Sequence, residues 1–102
     1  MNVRAVRIAQ RAEQERARVL IVDDDGVVLA LLRDTLSRHF DVTTADSGEA
    51  ALEVLGKHDI GVLLADQRMP GMTGVQLASR AREMNTHLVT ILLSAYTDPQ
   101  AM

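Results

Sequence analysis

The chain contains no cysteine and no tryptophan, and only two prolines in 102 residues. Without cysteine there is no disulfide framework, no thiolate metal site and no thiol nucleophile. Aromatic residues are nearly absent as well: Phe40 and Tyr96 are the only two, so the core has to be aliphatic. No apolar run approaches the roughly 20 residues that span a bilayer, and the arginine-rich start lacks the apolar region of a signal peptide. These absences point to a cytoplasmic protein without membrane attachment. A strong positive charge is missing too. The net charge of -3 argues against nucleic-acid binding by this chain.

What is present is globular in composition, with 47% hydrophobic and 25% charged residues. The length predicts one domain. The charge is uneven. Residues 1–18 hold five arginines and two glutamates, a net +3, which leaves -6 for the rest of a chain whose total is -3. The basic stretch 1–17 lacks Gly and Pro and suits either a helical leader or a solvated arm. The acidic remainder is a body that could carry a carboxylate cluster.

Within that body, short apolar runs alternate with helical patterns. Val19 to Val22 reads as a strand buried on both faces. Residues 26–39 set Val28, Leu31, Leu32 and Leu36 at helical spacing. A strand follows over Asp41–Ala45. The next helix is capped by Asp46 or Ser47 and carries Ala50, Ala51, Val54 and Leu55. Ile60–Ala65 is a third strand, ending at Asp66. After a Pro/Gly loop, residues 75–84 form a helix with Val75, Leu77, Ala78, Ala81 and Met84 inward. Leu88–Leu93 is a fourth strand, and Thr97-Asp98-Pro99 begins a fourth helix. This alternation predicts right-handed βαβ units: an open parallel sheet with helices on both faces.

Ligand sites in such folds form at the carboxyl ends of strands. Asp23-Asp24-Asp25 follow the first strand, Asp66 the third, and Ser94 the fourth. The fold would gather them at one rim. Several carboxylates close together repel one another unless a cation sits among them. Mg²⁺ suits such a site, because it takes a few carboxylates and keeps several waters. Capping is the competing explanation for any single one of these aspartates, and Asp24 or Asp25 could cap the first helix.

The segments VLIVDDD, LLADQRMPGMTG and ILLSA, in that order and spacing, resemble the signature of response-regulator receiver domains, the CheY-like modules of two-component signalling. The resemblance runs from about Arg18 to Met102, which divides the chain into a leader, 1–17, and a receiver domain, 18–102. It implies a flavodoxin-like α/β fold with strand order 2-1-3-4 and the fifth strand and helix missing. It implies that Asp66 is the phosphoacceptor, taking its phosphoryl group from a histidine kinase or phosphotransfer protein. Asp23, Asp24, Asp66 and the backbone carbonyl of Arg68 would hold Mg²⁺. Met69, Pro70 and Gly74 would shape the loop, and Ser94 would supply the switch hydroxyl. Such a module is a conformational switch, not an enzyme. Taken singly, Met69, Pro70 and Gly74 also suit ordinary turn chemistry, and Ser94 an exposed loop hydroxyl.

Two departures and two rivals complete the picture. The family's lysine follows its fifth strand, whereas the sole lysine here is Lys57, so these 102 residues alone are expected to accept label poorly. With order 2-1-3-4 the uncharged fourth strand becomes an edge, an invitation to self-association. Ile91 on that strand is expected to face the core. One rival is a degenerate receiver that binds partners without phosphorylation. The other rests on Asp23-Asp24-Asp25-Gly26-Val27, which resembles the start of haloacid dehalogenase-like phosphatases. There Asp23 would be the nucleophile and Asp25 the acid/base.

Overall fold

The computed structural model describes residues 16–93. The expected leader helix, the fourth helix beginning at Thr97 and the switch hydroxyl of Ser94 lie outside them. The elements are β1 (Arg18–Val22), α1 (Gly26–Leu36), β2 (Asp41–Ala45), α2 (Gly48–Lys57), β3 (Val62–Asp66), α3 (Gly74–Met84) and β4 (Val89–Leu93). The four strands form one sheet in the order β2-β1-β3-β4, every pair parallel. This is the flavodoxin-like α/β arrangement.

Strand order follows from where the apolar residues are. Val19, Leu20, Ile21 and Val22 are all buried, as a central strand covered on both faces requires. Successive side chains alternate faces. Leu20 and Val22 join Leu63, Ala65, Ala51, Leu77 and Ala81 in one core beneath α2 and α3. Val19 and Ile21 are buried outside that cluster. The chain steps one way from β1 to β2 and then back, from β2 past β1 to β3 and on to β4, so right-handed crossovers put α1 on the face opposite α2 and α3.

Some boundaries and core assignments differ from the sequence expectation. Helix α1 stops at Leu36; Ser37 closes it by donating its N–H to Arg33, and residues 38–40 turn into β2. Strand β3 starts at Val62, although Ile60 is still buried in the core. Leu31, expected inward, is 63% exposed. Helix α1 packs only on β1 and β2, half of the sheet, so the strip it covers is narrow. Val75 and Met84, at the two ends of α3, are also exposed, and Leu77, Ala78 and Ala81 do the packing.

Strand β4 is the sheet edge among the described residues. Val89 and Ile91 are 54% and 46% exposed, so Ile91 does not face the core. The register aligns them with Val62 and Leu64 on β3, on the α1 face. Helix α1 does not reach that half of the sheet. Among the described residues no helix is long and apolar enough to cross a membrane.

Candidate functional site

The carboxyl ends of β1 and β3 lie side by side, because these strands are neighbours in the sheet. The triplet after β1 divides into three roles. Asp23 continues the strand: its N–H donates to the Ala45 carbonyl at 3.2 Å, and its side chain turns inward, only 6% exposed. Its Oδ1 accepts from the N–H of Asp25 at 2.9 Å. Asp24 points outward and is exposed. Asp25 caps α1, its Oδ1 accepting from the N–H groups of Val27 at 2.9 Å and Val28 at 3.4 Å. The capping role left open between Asp24 and Asp25 therefore falls to Asp25. An acid/base role at Asp25 would compete with this cap.

Asp66, the last residue of β3, brings the third carboxylate. Asp23, Asp24 and Asp66 each offer an oxygen within 4.8 Å of the others. Burial pushes the Asp23 carboxyl above its ordinary value, and the negative charges of Asp66, Asp24 and Asp25 add to that; the hydrogen bond from Asp25 opposes it. A protein does not normally hold a buried carboxylate against two others without compensation. The donor set is all oxygen, which suits a small hard cation and not a soft metal. A divalent ion here would reverse the sign of the local field and favour all three carboxylates in ionised form.

The loop after Asp66 is fastened at its neck. The N–H of Gln67 donates to the Leu93 carbonyl at 3.1 Å, its carbonyl accepts from Gly74 at 3.2 Å, and its side-chain Oε1 accepts from the N–H of Val75 at 2.8 Å. A Cβ at Gly74 would sit 2.6 Å from the Asp66 carbonyl oxygen and 3.0 Å from the Gln67 Cα, so only glycine lets α3 approach this closely. Thr73 and Gln76 form a reciprocal capping box. Gly71 makes the turn at a φ of 77°. Met69 and Met72 anchor the loop in the core, while Pro70 and Arg68 are exposed. Met72 lies against α2, where a Cβ on Gly48 would come within 2.8 Å of it.

Sequence reasoning missed Gln67, Thr73 and the Gly48–Met72 contact. The T-x-x-Q box was readable as a helix start. The other two join segments brought together only by the fold. Lys57 ends α2, away from the rim that holds Asp23 and Asp66.

Comparison with known proteins places this geometry. Residues 19–102 match the family described as response regulator receiver domain. The hydrogenase transcriptional regulatory protein HoxA of Cupriavidus necator is 41% identical over 86 residues, 84% of this chain and 18% of HoxA. The chemotaxis protein CheY4 of Vibrio cholerae superposes with a TM-score of 0.76 at 29% identity, covering 84% of this chain and 74% of that one. The response regulator TrrA of Thermotoga maritima, solved in complex with Mg²⁺ and BeF, gives a TM-score of 0.74 at 32% identity, covering 79% and 71%. The chain spans less than half the length of the curated relatives it matches.

Proposed function

The chain belongs to the response regulator receiver domain family, a component of two-component signalling, and on that premise we propose that Asp66 is its phosphoacceptor and that Asp23, Asp24 and Asp66 hold Mg²⁺. The observation that carries this is the convergence of three carboxylates, one of them buried, at the carboxyl ends of β1 and β3. The backbone carbonyl of Arg68, two residues past Asp66, would complete the protein's ligands.

Phosphoryl transfer demands little covalent work from the protein; alignment and charge neutralisation dominate. When bound, Mg²⁺ supplies the neutralisation. A carboxylate oxygen of Asp66 forms the new bond to phosphorus, and the bond from phosphorus to the donor histidine's nitrogen breaks. The imidazole leaves, taking a proton from water, and an acyl phosphate remains on Asp66. The phosphoryl group brings about -1.5 to -2 charge with strong acceptors. The hydroxyl of Ser94, next after the Leu93 that pairs with Asp66, would turn toward it as the switch. Met69, Pro70 and Gly74 would hold the loop that frames the group. The module acts as a switch and not by turning over a substrate, in the cytoplasm, with a histidine kinase or phosphotransfer protein as donor.

We also propose that the chain self-associates through β4, the sheet edge among the described residues, where the exposed Val89, Ile91 and Leu92 carry no charge.

The metal site is tested by titrating Mg²⁺ into the chain while following amide NMR shifts. Shifts should centre on residues flanking Asp23, Asp24 and Asp66, with weak affinity because the ion keeps most of its water. A folded sample whose spectrum stays unchanged at high Mg²⁺ would overturn the site.

A further inference from the structure

Gln67 has no role in the chemistry proposed for the rim, yet it makes three separate ties there. Its backbone N–H reaches β4, its carbonyl reaches the first residue of α3, and its side chain reaches the second. Helix N-termini leave their first N–H groups without partners inside the helix. In α3 those of Gly74 and Val75 are both taken by Gln67, and that of Gln76 by Thr73. One residue therefore closes both ends of the loop 67–74 onto each other. It does so one residue from Asp66 and one from the Arg68 carbonyl.

We infer that Gln67 is a positioning residue: by clamping the start of α3 onto the peptide after Asp66, its side-chain carbonyl fixes the Asp66 carboxylate and the Arg68 carbonyl relative to each other for the metal. The inference rests on the proposed Mg²⁺ site. Two observations support the clamp. The Val75 to Gln67 bond, at 2.8 Å, is shorter than both bonds of the neighbouring Thr73–Gln76 capping box, at 3.0 and 3.2 Å. The approach it spans is tight, because Gly74 leaves no room for a Cβ between α3 and the Asp66 carbonyl. Loss of the bond would let α3 move away from the Asp66–Gln67 peptide. Mg²⁺ demands near-ideal octahedral geometry and tolerates such displacement badly. Gln67 acts only through its neighbours; nothing requires it to touch the ion or the phosphoryl group.

The test compares Gln67→Met with Gln67→Glu. Methionine keeps the length and removes the acceptor. Glutamate keeps an acceptor oxygen at the same reach, and a helix N-terminus favours its charge. Mg²⁺ affinity is read from amide NMR shifts, and stability without metal from a thermal melt. Gln67→Met should bind Mg²⁺ about tenfold more weakly, the scale at which losing a partner that orients a metal ligand is felt. Gln67→Glu should bind as tightly as the wild type, or more so. A Gln67→Met variant that melts lower yet binds Mg²⁺ with wild-type affinity would show a purely structural bond and overturn the inference. Equal weakening in both variants would overturn it as well. Should Gln67→Met not fold, Gln67→Asn gives the same comparison, because it keeps the amide but is one methylene too short. A wild-type chain that does not bind Mg²⁺ would remove the site itself, a result distinct from all of these.

Discussion

Asp25 donates its backbone N–H to the Oδ1 of Asp23 at 2.9 Å, and its own carboxylate caps α1. The second aspartate of this pair thus orients the first while starting the helix that follows. Three identical residues in a row thus divide into a buried carboxylate, an exposed one at the same rim and a helix cap.

That division predicts different outcomes at Asp25 for removing the cap and for removing the charge. Asp25→Ala should cost about 1 kcal/mol, as lost N-caps do. In a domain of this size that lowers the melting temperature by about 4–8 °C. Asp25→Asn should melt close to the wild type, because asparagine caps as well as aspartate, and it should still accept a phosphoryl group. Loss of acceptance in a folded Asp25→Asn protein would favour the phosphatase reading, in which Asp25 is the acid/base.

The buried position of Asp23 predicts a pH dependence of stability in the absence of metal. Its carboxyl sits above the ordinary 3.8 in the folded chain, chiefly through burial. Between 3.8 and the raised value the folded state therefore binds more protons than the unfolded state. Stability from this group is full below 3.8 and is lost as pH rises through that window. Other carboxylates titrate nearby, so the quantity to measure is the difference between the wild type and Asp23→Asn in denaturant melts from acid to neutral pH. Without metal, Asp23→Asn should gain on the wild type as pH rises. Mg²⁺ should stabilise the wild type at neutral pH and leave Asp23→Asn nearly unaffected. A difference independent of pH would contradict this.

The exposure of Ile91 makes it a usable probe of the β4 edge. The sequence suggested that a charge there would damage the core. At 46% exposure, a lysine can instead keep its head in water. Ile91→Lys should leave the far-ultraviolet circular dichroism unchanged and shift light scattering after size-exclusion chromatography toward the monomer. A wild-type chain that is monomeric at all concentrations would end the self-association proposal.

Much of the fold was legible because its signals are local and repeated. The run Val19–Val22 read as a strand buried on both faces, and the Pro/Gly loop after Asp66 marked the turn into α3. What the sequence did not show depends on contacts between distant segments. Leu31 has the spacing of a core residue, but helical spacing does not say how much sheet lies beneath the helix. Gln67 looks like any polar loop residue until α3 is folded back onto it. Within the site, the strand-end rule brought Asp23, Asp24 and Asp25 to the same rim as Asp66, and only the family resemblance singled out Asp23 and Asp24 from the triplet. The assignment of the cap to Asp25 did not, because Asp24 and Asp25 are equally good capping residues on paper.

The most direct test of the account is to locate the phosphoryl group. The protein, expressed from its own reading frame, is incubated with acetyl phosphate in the presence or absence of Mg²⁺, and the acyl phosphate is then reduced with borohydride, which converts the modified aspartate to homoserine. Peptide mass spectrometry should find homoserine at position 66, only when Mg²⁺ is present and not in Asp66→Asn. Homoserine at position 23, or a folded protein that binds Mg²⁺ and never acquires the label, would contradict it; the second result would identify a receiver that binds its partners without phosphorylation.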